Sequence, residues 1–387
     1  MSMDLLKQSL IILRLNLASL PQRAWPAIII VLSMTCVVGA LLAMLSETAG
    51  MLRAYRTDSS PQRALVMEAA TGTEFGNSLT RNDVATIFSA PGIARRPDGG
   101  LAADAEILFW VPPYAGYLGG SPLLLGLGPA GLSLHPHFAL VSGRLFETGR
   151  QELIIGVQAA RAFRLKVGDK ALLPSGEWPI VGIFAAGGGL MESRLVGDAA
   201  TIMTACKIPG FGSVLVQLDD LQAFAELKQW LTTNPALMVT AERQSDYYLR
   251  VADGYSAFFT ELAYVVGVLM ALGALFGSVK IMHSAISTRT REIATLRAIG
   301  YGARAASLAV LFEMIILAIT GACCGAAVAW LLFDGRVVSG WYDAVELSVS
   351  PRQFLVGLGW ALILAILSSI PPAIRAGRLS VANGLVR

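Results

Sequence analysis

The sequence predicts a membrane α-helical protein with four transmembrane helices and an α/β (α+β) extracytoplasmic domain inserted between helices 1 and 2. Three observations carry this. Four stretches, 24–46, 257–279, 305–333 and 354–370, are almost free of charge, and each matches the roughly 20 apolar residues that cross a hydrocarbon core of about 30 Å. Between the first two lies a segment, 47–256, of ordinary globular composition that is long enough to bury a core of its own. Finally, Lys and Arg concentrate on one side of these spans.

That side is read from three short segments, 1–23, 280–304 and 371–387. Together they carry eleven Lys/Arg against two acids, a net of +9. The 47–256 segment holds 17 basic and 20 acidic residues, and the 334–353 loop two basic and three acidic. The positive-inside bias therefore places both termini and the 280–304 loop in the cytoplasm and the large domain outside. Only 15% of the chain is charged, against about 25% in soluble domains.

Taken in order, 1–23 reads as an interfacial amphipathic helix, with Leu5, Leu6, Ser9, Leu10, Leu13 and Leu17 on one face. The first span starts at residue 24 without a short basic leader, so it is expected to be retained as a helix. In 47–256, strands are expected at 63–69, 152–156, 170–173, 178–184, 213–218 and 237–240, with helices at 80–90, 158–165 and 219–231. The last three elements form a β-α-β unit. Asp219 or Asp220 would cap its helix, and Leu221, Phe224, Ala225, Leu227 and Leu231 would give the apolar face. The Gly- and Pro-rich stretch 111–136 has no assignment. Residues 47–57 and 245–256 lack turn signals and read as helical stalks. Span 257–279, cytoplasmic loop 280–304, span 305–333, short outer loop 334–353, span 354–370 and tail 371–387 complete the chain. The cysteines Cys36, Cys323 and Cys324 fall in spans and Cys206 in the outer domain, which is no disulfide framework.

The most informative motif is the loop after the second span, 284–300. Arg289, Arg291, Glu292 and Arg297 make one helical surface charged, while Ile293, Leu296 and Ile299 place apolar residues on another. Gly300 and Gly302 allow the turn into the next span. A rigid helix of this kind can lie in a groove on a cytoplasmic partner, with apolar anchors for affinity and charges for orientation. The residues alone fit an ordinary interfacial helix equally well.

Glu313 is the one acid deep in the third span. An intramembrane carboxylate needs a partner, and Lys280 and Arg297 are candidates, in a packing or anchoring role more than a substrate-binding one. Gly273 with Gly277, and Gly321 with Gly325, have the spacing that lets helices approach closely. His135-Pro-His137 lacks a third nearby ligand, so no metal site is expected. No Gly-x-x-x-x-Gly-Lys-Ser/Thr loop and no nucleophile-base set occurs, so no catalytic residue is assigned and an ATPase would come from another polypeptide.

The 284–300 loop, with its Arg-Glu-Ile and Leu-Arg-Ala-Ile-Gly runs, resembles the MacB/FtsX/LolC-type permeases of ABC transporters. Leu311-Phe-Glu313 followed by Gly321 and Gly325 resembles the third span of that family, and Pro372-Ala-Ile-Arg-Ala-Gly-Arg-Leu resembles its C-terminal tail. In the outer domain, Gly143-Arg-Leu-Phe146, Val167-Gly168-Asp169 and Ile180-Val-Gly-Ile183 are similar to the family's periplasmic core. Tyr301-Gly302 and Gly377 depart from its usual residues.

The resemblance implies a stand-alone permease subunit in the bacterial inner membrane. Its implied partners are a cytoplasmic ATPase dimer that binds ATP and Mg, a second copy or a paralogous permease, and a periplasmic adaptor protein. No nucleic acid is implied. The implied activity is export or extraction of a lipid, lipoprotein, peptide or amphiphile. A second reading is an FtsX-like signal transmitter that regulates a periplasmic cell-wall hydrolase or sensor without transport; the large outer domain favours the transporter. A membrane-bound enzyme has no residues to support it.

Overall fold

The computed structural model describes residues 2–19, 21, 24–111, 122–135, 137–288, 290–299, 301–339 and 344–378. The chain opens with α1 (Ser2–Ala18) and α2 (Ala24–Asp58). Next come β1 (Arg63–Glu68), α3 (Arg81–Ile87), β2 (Ala103–Trp110), β3 (Leu123–Leu127), β4 (Ala139–Gly143), β5 (Leu153–Gly156) and α4 (Val157–Phe163). The outer segment continues with β6 (Lys170–Leu173), β7 (Gly176–Ala185), β8 (Arg194–Asp198), α5 (Ala199–Cys206), β9 (Ser213–Gln217), α6 (Ala223–Thr233) and β10 (Val239–Arg243). Then follow α7 (Gln244–Thr288), α8 (Thr290–Ala298), α9 (Ala303–Phe333), β11 (Val337–Ser339), β12 (Ala344–Glu346) and α10 (Pro351–Arg378). Two compact units result: Met1–Thr48 with Ala257–Asp334 and Ser348–Arg387, and Ala49–Ser256 with Gly335–Leu347.

In the first unit, α2, α7, α9 and α10 are the helices, among the described residues, long and apolar enough to cross a membrane. Small residues line their seam: Ala271 and Ala274 of α7, Ala318, Ala322 and Ala329 of α9, and Ala361 and Ala365 of α10 pack around Met34, Val38 and Leu42 of α2. Helices α9 and α2 approach closely through glycine. A Cβ at Gly321 would stand 2.6 Å from Met34 Cβ, and one at Gly325 would stand 2.8 Å from the Thr35 carbonyl oxygen. Thr35 Oγ1 also donates to the Gly321 carbonyl at 3.2 Å. By contrast, nothing lies within 4 Å of the Cβ positions at Gly273 and Gly277. Helix α10 runs on through Pro371 and Pro372, beyond the expected span end.

Helix α1 differs from its expected face. Ser9, Ile12 and Leu13 are buried, whereas Leu6, Leu10, Ile11 and Leu15 are exposed. The reason is that α9 claims one side: Ile12 packs with Ala305 and Ala309, with Leu296 and Tyr301 against them. The apolar residues left outside are those an interfacial helix offers to lipid.

The second unit is built on a ten-stranded mixed sheet in the order β10-β1-β9-β2-β3-β8-β5-β7-β4, with β6 paired to β7. The predicted β-α-β unit is β9-α6-β10, split by β1, which pairs antiparallel with both strands. Its helix starts at Ala223 rather than 219, because Asp220 Oδ1 accepts the N–H groups of Gln222 and Ala223, both at 2.7 Å, and ends the turn there. Ala223, Leu227 and Leu231 form the buried face; Leu221 and Ala225 are exposed. Four strands (β2, β3, β4 and β8) and helix α5 had no counterpart in the sequence reading, and β3 lies in the unassigned stretch 111–136. The 334–353 loop carries the small hairpin β11-β12. Residues 47–57 are the outer end of α2, and 245–256 the outer end of α7.

Candidate functional site

The charged loop after the second span folds as α8, the short helix its sequence calls for. The Tyr301 N–H donates to the Leu296 carbonyl at 3.2 Å, which closes its last turn. Arg291 and Glu292 are exposed, Ala294 is buried, and Leu296 and Arg297 are half-buried. Ile299 is 72% exposed. The apolar residues at 296 and 299 therefore point two ways: Leu296 inward onto Ile12 and Tyr301, and Ile299 outward. Arg289, Gly300 and the side chain of Ile293 lie outside the described residues.

Beneath α8 is a cleft of about 30 Å³, room for about one water. Asn16, Glu292, Arg297 and Glu313 bring polar groups to its wall, and Ile12 and Leu296 apolar ones. Glu313 is 4% exposed, and Asn16 Nδ2 donates to its Oε2 at 2.9 Å. Of the two cationic partners expected for Glu313, Arg297 shares this cleft, whereas Lys280 is exposed on α7. Nearby, Gln8 Oε1 accepts the Gly302 N–H at 3.2 Å, at the first turn of α9. Asn16 and Gln8 thus tie α1 to α9, a role the sequence does not announce.

A second polar cluster lies in the outer unit and was missed in the sequence. The β-register explains it. Arg63 opposes Gln217, and Leu65 and Asp104 both oppose Leu215, while Glu106 opposes Ser213. Arg63, Asp104 and Glu106 therefore share the sheet face that carries Leu65, Met67 and Leu215. On that face pack Met51, Ala54 and Tyr55 of α2 and Tyr247, Tyr248 and Ala252 of α7. Arg63, Glu74, Asp104, Glu106 and Arg194 are all buried there. Arg63 Nη2 donates to the Asp58 carbonyl at 2.8 Å, and Asp58 Oδ2 accepts the Met191 N–H at 3.0 Å. Asp104 accepts the N–H groups of Gly128 at 2.7 Å and Ala130 at 3.1 Å. The Glu74 N–H donates to the Tyr247 hydroxyl at 3.3 Å, and the Glu106 Oε1 is buried without a hydrogen-bond partner among the described residues.

Burial governs the ionisation of this cluster. It pushes the Glu106 carboxyl up to about 8, reinforced by Asp104 and Glu74 and opposed by Arg194 and Arg63. It pushes Asp104 up to about 7 against its backbone hydrogen bonds, and Asp58 upward. Burial, with Arg63 and Arg194 close by, pushes His135 down to about 3, so its imidazole is neutral. Among the described residues, no group of three or more His, Cys, Asp or Glu could hold a metal ion.

Comparison with known proteins bears on both units. Residues 27–234, just over half of the chain, match the MacB-like periplasmic core domain, and residues 264–381 match the FtsX-like permease C-terminal domain. The uncharacterized ABC transporter permease protein Rv0987 of Mycobacterium tuberculosis is 23% identical over 259 residues, which is 62% of this chain. The chain spans 30% of that relative's length. Similar solved structures include the extracellular domain of the noncanonic ABC-type transporter YknZ from Gram-positive bacteria, with a TM-score of 0.35 and 14% identity. The likeness covers 46% of this chain and 98% of that one. The periplasmic region of MacB from Actinobacillus actinomycetemcomitans has a TM-score of 0.36 and 14% identity, covering 49% of this chain and 92% of that one. With four membrane-crossing helices, a mixed-sheet domain between the first two and both family patterns in the expected order, the chain belongs to the FtsX-like ABC transporter permeases that carry a MacB-like periplasmic core domain.

Proposed function

We propose that this permease couples ATP hydrolysis by an ATPase outside these 387 residues to movement of its outer domain, for export or extraction of a lipid, lipoprotein, peptide or amphiphilic small molecule. The observation that carries the proposal is the division of labour on α8. Leu296 anchors the helix to α1 and α9, while Ile299 and Arg291 stay exposed for a partner. In this reading ATP and Mg bind to the ATPase, α8 docks in its groove, and closure of the ATPase dimer tilts α9 through the Asn16–Glu313 contact. The outer ends of α2 and α7 then move the sheet domain, a hinge-type transition. A second copy or a paralogous permease completes the assembly, in the inner membrane with both termini cytoplasmic, and a periplasmic adaptor relays the motion.

The spans support mechanical transmission over a polar channel, because the described intramembrane seam is Ala-, Gly- and Leu-rich. The test is a photo-crosslinking residue at position 299 in the full chain, co-expressed with its candidate ATPase. A crosslink to the ATPase is expected at 299. No crosslink from 299 in a complex that still co-purifies, or one no stronger than from exposed outer-domain position 150, would overturn the assignment.

A further inference from the structure

The charges on the buried sheet face do not balance when all are ionised. Arg63 and Arg194 supply two positive charges, against as many as four negative charges from Asp58, Glu74, Asp104 and Glu106. If Asp104 and Glu106 hold protons, two guanidinium groups face two carboxylates. If they do not, buried negative charge exceeds buried positive charge under the packed ends of α2 and α7. A buried carboxylate without a counter-charge is tolerated chiefly in its neutral form, and the unpartnered Glu106 Oε1 fits that form.

We propose that this cluster is a proton-operated latch on the outer ends of α2 and α7, closed while Asp104 and Glu106 carry protons and loosened when they ionise. The contacts that would slacken are specific. Arg63 holds the Asp58 carbonyl at the last turn of α2, and the Tyr247 hydroxyl of α7 meets the Glu74 N–H. Tyr55 of α2 packs edge-on against Tyr248 of α7, with ring centroids 5.7 Å apart. The latch thus spans both helices on one sheet face.

Three titratable groups beside the cluster stay in one state across the working range. His135 remains neutral, and burial pushes the Tyr247 and Tyr248 hydroxyls upward, so both stay protonated. Glu192 Oε1 is held by the N–H groups of Ala186 at 2.6 Å and Gly188 at 2.8 Å. His137 lines the cavity at Asp58 and Arg63, Arg96 acts on Asp104 from the rim, and Arg250 lies 5.1 Å from the Tyr247 ring. Asp104 and Glu106, raised to about 7 and about 8, are the groups whose change of charge falls in that range.

The direction follows from linkage. Both folded-state values are raised above the unfolded ones, so the stabilisation is complete below about pH 4 and is lost as pH rises through about 7 and about 8. For Glu106 alone, raising the pH from 6 to 9 should increase the opening equilibrium on the order of a hundredfold if the open state exposes it fully.

Hydrogen exchange on the full-length protein in nanodiscs tests this, corrected for intrinsic exchange rates. Protection of amides in 49–58 and 244–256 should fall at least tenfold between pH 6 and pH 9. In Glu106→Gln, which is neutral at every pH, most of that fall should disappear. Glu177→Gln, at an exposed surface pair with Lys170, should behave as the parent protein does. Wild-type protection unchanged over this range, or an equal fall in Glu106→Gln, overturns the proposal. Should Glu106→Gln fail to fold, infrared titration of the parent protein decides. A protonated-carboxyl band that persists at pH 6.5 and vanishes by pH 9 supports the latch, and its absence at pH 6.5 refutes it.

Discussion

Replacing Ile299 with Asp separates docking from folding. Ile299 is 72% exposed, so the unit's own packing loses little. Full burial of an Ile side chain contributes about 1.5–3 kcal/mol. Covering the exposed share of it on an ATPase should therefore contribute about 1–2 kcal/mol, or roughly 6- to 30-fold in affinity. Desolvating the new carboxylate adds to that loss. Microscale thermophoresis of the detergent-purified permease against its ATPase should show binding weakened at least tenfold, with the melting temperature of the permease unchanged. Leu296→Asp makes the contrast. Because Leu296 packs onto Ile12, Tyr301, Ala305 and Ala309, it should lower the melting temperature as well as binding. A double acidic replacement at Leu296 and Arg297 would mix the two effects. Unchanged affinity in Ile299→Asp, in a folded protein, would refute α8 as the docking helix.

Other expectations are equally concrete. Asn16→Leu leaves Glu313 without its amide donor and should destabilise the membrane unit by about 1–3 kcal/mol, read as a lower thermal midpoint in detergent. Glu313→Gln should fold normally yet lower substrate-stimulated ATPase activity in the reconstituted complex; unchanged activity would make the carboxylate incidental. Gly321→Leu drives side-chain atoms into Met34 and should cost at least about 1–3 kcal/mol, whereas Gly273→Leu, in open space within this chain, should be tolerated by the monomer. Cysteines placed at positions 150 and 290 should label with impermeant maleimide from outside and from inside respectively. The reverse pattern would invert the topology.

Much of the architecture was legible because it rests on local rules. Charge-free stretches long enough to span a bilayer, and eleven basic residues on three short segments, fix spans and sidedness without any tertiary contact. Strand β9 and helix α6 were legible for the same reason, through a short apolar run and helical spacing. Strand β2 was not, because Asp104 and Glu106 occupy the face that would otherwise read as apolar. What surrounds them comes from elsewhere in the chain: the Gly128 and Ala130 N–H groups at Asp104, and the Arg63 and Arg194 charges near Glu106. Strand β4 shows no inward face at all, since every residue in it is exposed at the sheet edge. The start of α6 was misplaced because neither Asp219 nor Asp220 is its N-cap: Gln222 stands there, and Asp220 Oδ1 holds the Gln222 and Ala223 N–H groups in the turn before it. At the α8 site the helix was readable from its charges, but Asn16, which donates to Glu313, stands 297 residues away from it, and no pattern in the sequence links those two.

The split β-α-β unit has an architectural consequence. Strand β1 follows α2 and strand β10 precedes α7, and the two are hydrogen-bonded neighbours, with Ala64 opposite Arg243. Arg243 Nη1 also donates to the Pro61 carbonyl at 2.9 Å. The chain therefore enters and leaves the ten-stranded sheet at one place, as in a plug-in cassette. The two junctions at 63 and 243 need only match a single spacing for a different domain to be grafted between the same helices.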